Sequence, residues 1–267
     1  METERYLNDY YSNYSEENRL LIQRGSVEYL TTMRFIERYI KPGDRVIEIG
    51  AGTGRYSHAI ARQGFAVDAV ELIPHNIEIF RQNTLPDEKI TITQGNAIDM
   101  SAFEDNTYDI TLLLGPMYHL FTAEDKIQAL GEALRVTKPG GIVFVAYCMA
   151  DPSILDYGFR QGHIHELIEK KMVETEGFKA FSNPWDLFEL HRREDINELM
   201  RGFDITRLNF VAADGYTNHM RETVDNMDKA TFALYLKYHF TVCERPDMAG
   251  LTHHSLDIFR KNSESTN

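Results

Sequence analysis

Three glycines at alternate positions, Gly50, Gly52 and Gly54, interrupt the stretch "VIEIGAGTGRYS" between an apolar run and a segment with helical spacing. Glycine permits a tight turn there and lets a ligand come close to the backbone. The pattern is G-x-G-x-G. It is not the G-x-G-x-x-G of dinucleotide binding, and it lacks the Gly-Lys-Ser/Thr of a phosphate loop. No lysine or arginine lies within the loop, and Arg55 comes only after its last glycine. The next apolar run, "AVDAVEL", carries Glu71, 21 residues after Gly50. An acid at the end of a second strand can accept hydrogen bonds from both ribose hydroxyls of an adenosine. A glycine loop alone is weak evidence and could be a tight turn with no ligand. The loop, its flanking elements and the spaced acid together point to a nucleoside-like ligand.

A second group of residues that could do chemistry lies in "LLLGPMYHLF". His119 is a candidate base because its unperturbed pKa is near neutral, and Tyr118 could face a substrate beside it. The competing reading is that "MYHLF" merely packs and caps the next helix. Histidines recur later, at 163, 165, 191, 219, 239, 253 and 254. "GHIH" and "THH" hint at metal binding, but neither adds a ligand at a spacing that argues for zinc. These rings are expected to be solvent-exposed or to line a pocket.

The elements that must position these groups alternate. "RVIEIG", "AVDAVEL", "ITITQGNA", "YDITLLLG" and "IVFVAYC" read as five strands, the fourth apolar enough to be covered on both faces. Helices are expected over 15–40, from Arg55, from Pro74 and over 123–137, with turns at "KPGD" and "KPGG". Such alternation means a parallel sheet wound by right-handed crossovers. After Cys148 the rhythm breaks. Helices are expected near 159–174, 192–201 and 214–246, a sixth strand at "FDITRLNFVAA" and a last one at "HHSLDIFRK". Late helical insertions in such folds commonly build a lid or pocket, because ligands bind beyond the carboxyl ends of the strands. The chain thus divides into an N-terminal helical cap (1–40), a core (41–150) and insertions at 151–202 and 214–246 within one domain.

Over residues 44–147 the chain resembles the class I S-adenosylmethionine-dependent methyltransferases, motif by motif: "VIEIGAGTGRYS", "AVEL", "QGNAIDM", "YDITLLLGPMYHL" and "EALRVTKPGGIVFVAY". The "LGPxYHL" stretch is similar to that of a subset of bacterial small-molecule enzymes. The resemblance implies an α/β, doubly wound, mostly parallel seven-stranded sheet, the Rossmann-like methyltransferase fold, with helical insertions late in the chain. It implies S-adenosylmethionine as cofactor. Glu48 would help hold the methionyl ammonium. Gly50 and Gly52 would approach the methionine moiety and sugar, Gly54 would complete the loop, and Glu71 would bind the ribose. Leu72 would pack on the adenine face and Ala97 would offer its N–H to the adenine edge. Backbone at Leu114 or Gly115 could receive the ammonium. The family commonly has Asp where this chain has Asn96, whose side-chain oxygen can still accept. Asp99 is read as a loop or capping residue. The tyrosine-rich start could fold Tyr10, Tyr11 and Tyr14 over the cleft, with Arg19 pairing with the cofactor's carboxylate; an N-terminal helix that only packs on the sheet is the simpler view.

Composition narrows the substrate. The 267-residue chain carries a net charge of −13, whereas nucleic-acid binders normally present a basic face. A small-molecule acceptor is expected, with its O, N or C atom methylated. RNA or protein methylation, a cofactor-binding regulator without turnover and a propylamine-type transferase are the alternatives; "GPMYH" lacks the paired acids that the last would need. The motif N/D-P-P-Y/F, expected of enzymes that methylate exocyclic or amide nitrogens, is absent. The charged "METERYLNDYY" is not read as a secretory leader, no apolar run is long enough for a membrane span, and Cys148 and Cys243 are read as free buried thiols. These expectations together place the protein in the cytoplasm.

Overall fold

The computed structural model describes residues 5–7, 10, 22–186 and 188–263. Helix α1 (Gln23–Tyr39) leads into strand β1 (Arg45–Ile49), followed by α2 (Arg55–Ala61), β2 (Ala66–Glu71), α3 (Pro74–Asn83), β3 (Ile90–Gln94) and β4 (Tyr108–Leu113). Helix α4 (Ala123–Val136), its start capped by the Thr122 side chain, runs into β5 (Thr137–Met149). Then come α5 (Ala150–Ser153), a π-helical stretch (Ile154–Arg160), α6 (Ile164–Glu169), β6 (Leu190–His191), α7 (Arg193–Met200), β7 (Ile205–Ala212), α8 (Arg221–Asp225), α9 (Lys229–Val242) and β8 (His254–Lys261).

The sheet runs β3-β2-β1-β4-β5-β8-β7, with the two-residue β6 paired to the far end of β5. β1 through β6 pair in parallel, and β8 lies antiparallel to both β5 and β7. Strand order therefore reverses between β1 and β4. That reversal opens a crevice at their carboxyl ends, where open α/β sheets place ligands.

Period-two side-chain alternation divides the core between the two faces. Ile47, Leu113, Val143, Val145 and Phe259 face α4 and α7, with Ala129, Leu130, Ile196 and Met200 packed against them. Val46, Leu112, Phe144, Ile142 and Ile258 face the other way, toward Phe35 and Ile36 of α1 and Ile60 of α2. Each such buried side chain contributes about 1.5–3 kcal/mol, which is why the central strands hold position without help from turns.

Among the described residues the expected elements are present with four differences, one being that the helical stretch expected over 214–246 divides into α8 and α9. "KPGG" is not a turn before a strand but a bulge within one: β4 pairs Tyr108 with Thr137 and then Ile110 with Ile142. The expected helix over 159–174 is broken, because Gly162 takes a positive φ of 85° and Asp156 is tied to Arg160, Gln161 and Arg221. β6 carries too little pattern to be seen in the sequence. Among the described residues no helix is long and apolar enough to cross a membrane. Cys148 and Cys243 are free and buried. His191 and His239 are buried, against the expectation of exposed or pocket-lining rings: His191 sits edge-on to Tyr147, and His239 meets Thr31 Oγ1 at 3.0 Å.

Asp257 on β8 is fully buried, and Arg207 on β7 grips it through two hydrogen bonds of 2.8 Å. Removing one member of such a pair strands a charge in the interior. Arg207→Ala is expected to cost about 3 kcal/mol, measured by urea unfolding at neutral pH; a loss well below 1 kcal/mol would show that the pair is not needed to seat β7.

Candidate functional site

The glycine loop crosses from β1 onto the end of β2. Gly50 and Ala51 both donate their N–H to Val70 O, at 2.8 and 2.9 Å. The three glycines do different work. A Cβ at Gly50 would lie 2.7 Å from the Pro116 ring, and one at Gly54 would lie 2.5 Å from Phe80. Those two permit close packing. Gly52 has a positive φ of 56° and open space where a Cβ would stand. It is the glycine that leaves room for a ligand.

Two buried carboxyl side chains hold this loop. Gly54 begins α2 without a side chain to cap it, and Glu48 on β1 supplies the cap instead, its Oε2 accepting from Ser57 N at 2.9 Å and from Ser57 Oγ. Burial pushes the Glu48 carboxyl up to about 8, against the lowering pull of those hydrogen bonds. Glu71, at the end of β2, accepts from Gly52 N at 2.8 Å with Oε2, and from Ile73 N at 2.9 Å and Asn76 Nδ2 at 3.2 Å with Oε1. Burial raises its pKa too, opposed by the same donors. A carboxylate has about four lone-pair sites, so three donors leave it capacity for a further one.

A cavity of about 340 Å³ lies over this loop. Glu48, Gly50, Gly52, Glu71, Leu72, Asn96, Ala97, Leu114, Gly115, Tyr118 and His119 all line it, so sequence-expected residues from four strand ends meet in one space. Gly54 stands behind the wall. The Asn96 oxygen already accepts from Ile98 N at 3.3 Å. Asp99 turns the chain by accepting from Ser101 N, as a capping residue should. Tyr118 donates its hydroxyl to Leu114 O at 2.7 Å, which occupies one lone pair of the carbonyl considered for an ammonium. The His119 ring lies 5.0 Å from Tyr118 and 5.5 Å from Phe188. Tyr10 meets the same Phe188 edge-on at 6.1 Å, and Leu7 reaches the cavity wall. Leu7 and Tyr10 therefore lie close to the β4 exit. Tyr11, Tyr14 and Arg19 fall outside the described residues.

Charged residues that the sequence did not single out also line or adjoin the cavity, Arg55, Glu28 and Asp214 among them, and His254 meets the expectation of a pocket-lining ring. Arg55 lines the cavity, its guanidinium 4.2 Å over the Tyr29 ring. Glu28 and His254 line the side nearest β5 and β8, and Asp214 holds His254 from behind at 2.8 Å. Forty residues separate that aspartate from its histidine, so no local spacing announces the pair. Among the described residues of 151–202 only Pro184 reaches the wall, and no lining residue comes from 214–246. The helical segment 214–246 instead buttresses α1: Gln23 Nε2 donates to Val224 O and Met227 O, and Arg24 N donates to Asp225.

Comparison with known proteins follows this geometry. Residues 47–145 match the family described as "Methyltransferase domain". Proteins named demethylmenaquinone methyltransferase in Bacillus cereus and Bacillus anthracis are 31% identical over 140 residues, covering 50% of this chain and 54% of theirs. The chain thus spans about half the length of the curated relatives it matches. Among solved structures, a phosphoethanolamine N-methyltransferase from Haemonchus contortus superposes with a TM-score of 0.61 at 13% identity, covering 100% of this chain and 50% of that one. A SAM-dependent methyltransferase from Methanosarcina mazei gives 0.57 at 16% identity, covering 86% and 98%. Both structural likenesses concern the fold.

Glu48 keeps its proton in the folded chain up to about pH 8, whereas the unperturbed value is 4.5. The folded state binds that extra proton between the two values. Its contribution to stability is whole below pH 4.5 and is lost as pH rises through about 8. Glu48→Gln cannot titrate, so in ligand-free protein the fall in Tm between about pH 5 and 8 is expected to flatten relative to wild type. Parallel Tm curves for the two proteins would contradict this.

Proposed function

We propose that this chain, a class I S-adenosylmethionine-dependent methyltransferase over its matched core, moves the cofactor's methyl group to a nucleophilic O, N or C atom of a small molecule. The observation that carries the reading is one continuous cavity. It runs from Glu71, Leu72 and Asn96, past the open side of Gly52, to Tyr118 and His119. The residues present suit the cofactor. Glu71 has acceptor capacity left for ribose hydroxyls, Leu72 and Ile98 offer apolar surface to a base, and Gly52 has the empty space that a close-lying ligand needs. Arg55 offers a cation for an amino-acid carboxylate, the part that the sequence suggested for Arg19. Glu48 offers a carboxyl for the ammonium.

When bound, the cofactor supplies a methyl carbon activated by its sulfonium, which an acceptor lone pair can displace while the carbon–sulfur pair stays on sulfur. What this chain contributes is position and dryness. Tyr118, fixed to Leu114 O, and His119, set edge-on to Tyr118 and tilted against Phe188, wall the space beyond the β4 exit. A small acceptor accords with the cavity's size, with the chain's net charge of −13, and with relatives named for methylating demethylmenaquinone. RNA or protein as acceptor finds no comparable support.

Incubation of metabolite extracts with methyl-labelled S-adenosylmethionine tests the reaction, the labelled product naming the acceptor; a transfer only to protein or RNA would contradict the small-molecule reading. Gly52→Arg is expected to abolish cofactor binding in a calorimetric titration, with Tm lowered as well because a side chain at a φ of 56° is strained. Glu71→Ala is expected to weaken binding about 10–100-fold, the loss of one or two hydrogen bonds to a charged group. Unchanged affinity in either variant would defeat the assignment of the loop and its acid.

A further inference from the structure

The cavity has a second end that the cofactor residues leave unused. It is walled by Glu28 and Thr32 of α1, Ala146 of β5, Ala213 after β7, and His254 at the start of β8. We propose that His254, held by Asp214, is the catalytic base that receives the proton of the acceptor. This rests on the methyl-transfer reading above and deepens it, because only a protic acceptor (a hydroxyl, phenol or amine) needs such a group.

The geometry of Asp214 carries the argument. It is 1% exposed and accepts five hydrogen bonds. Oδ1 takes Thr252 Oγ1 at 2.6 Å, His253 N at 2.9 Å and His254 N at 3.2 Å. Oδ2 takes Asn218 Nδ2 at 2.7 Å and His254 Nδ1 at 2.8 Å. So many donors hold the carboxylate ionised despite its burial, His254 foremost among them. An ionised carboxylate only accepts, so Nδ1 must carry the proton and donate it. That fixes the tautomer and aims Nε2 away from Asp214. The His254 side chain is 22% exposed, and among the described residues no hydrogen bond engages Nε2. Glu28, Asp214 and His254 are also close enough to suggest a cation site. The five donors speak against it, since they leave Asp214 no lone pair to aim at an ion.

In the proposed step the acceptor's X–H proton moves to Nε2 and the X–H bond pair remains on X, which then carries the lone pair that attacks carbon. Asp214 acts as a positioning residue. The charged and titratable groups facing the ring are Glu28 from α1, Cys148 from β5, Asp214 from the turn after β7 and His253 beside it. Burial disfavours the charged ring, but Glu28, Cys148 and Asp214 outweigh it and raise its pKa well above the ordinary value. Burial keeps His253 neutral, its pKa pushed down to about 4. The base form of His254 therefore grows as pH rises above the usual histidine range, and the rate should rise with it.

The test combines ring-nitrogen NMR of His254, titration with S-adenosylhomocysteine, and methyl transfer from labelled S-adenosylmethionine to a panel of small phenols, alcohols and amines. Expected are Nδ1 protonated throughout, Nε2 titrating above the ordinary range, and His254→Gln losing at least about 100-fold in rate while keeping S-adenosylhomocysteine affinity within about twofold. Glu28→Gln should move the acid limb of the pH–rate profile downward, and Asp214→Asn should lower kcat more than it raises KM. A bare Nδ1, or a His254→Gln rate equal to wild type with cofactor affinity intact, overturns the dyad alone. Failure of the wild type to bind S-adenosylhomocysteine overturns the proposed function instead, and the NMR tautomer still decides the dyad.

Discussion

Two carboxyl groups at the ends of neighbouring strands, Glu48 and Glu71, set the shape on which everything else in this site depends. Burying a carboxyl is costly, and each is buried to within a few per cent. What offsets the cost is the loop itself. A turn made of glycines has backbone N–H groups and no side chains to satisfy them. Glu48 serves the first turn of α2 through Ser57, and Glu71 serves Gly52. The acids hold the loop open, and the loop satisfies the acids. Neither arrangement would persist if the open side of Gly52 were filled.

This mutual dependence explains why the glycine-loop half of the cavity was legible in the sequence. Its residues lie within a few positions of strand ends, so the spacing of Gly50, Gly52, Glu71, Leu72 and Asn96 along the chain maps directly onto their meeting in space. The parallel strands were legible for a related reason: runs covered on both faces, such as β4, carry their own pattern. Differences arose where local pattern and tertiary contact disagree. Lys138 to Gly141 look like a turn and form a bulge, because β4 pairs on both sides of them. The segment 159–174 has helical spacing, yet Asp156 gathers Arg160, Gln161 and Arg221 and breaks it.

The other half of the cavity was not legible. His254 meets Asp214 only because β8 runs antiparallel between β5 and β7, bringing the turn after β7 beside the start of β8. Glu28 arrives from α1, more than 180 residues earlier in the chain. Sequence drew notice to "THH" as a hint of metal and to His119 as a base. The structure sets His119 beside Tyr118 and Phe188, and the imidazole oriented by a buried carboxylate is the one at position 254. The two readings share a feature: both put proton-handling groups beyond the strand ends, while the adenosine-type groups stay over β1, β2 and β3.

The central claim is that the crevice between β1 and β4 is built for an adenosyl ligand seated on Glu71. A crystal structure with S-adenosylhomocysteine tests it most directly. The ribose hydroxyls should lie within hydrogen-bond distance of the Glu71 carboxylate, with the base against Leu72 and the amino-acid end near Glu48 and Arg55. An empty crevice at saturating ligand, or a sugar seated away from position 71, would contradict the account.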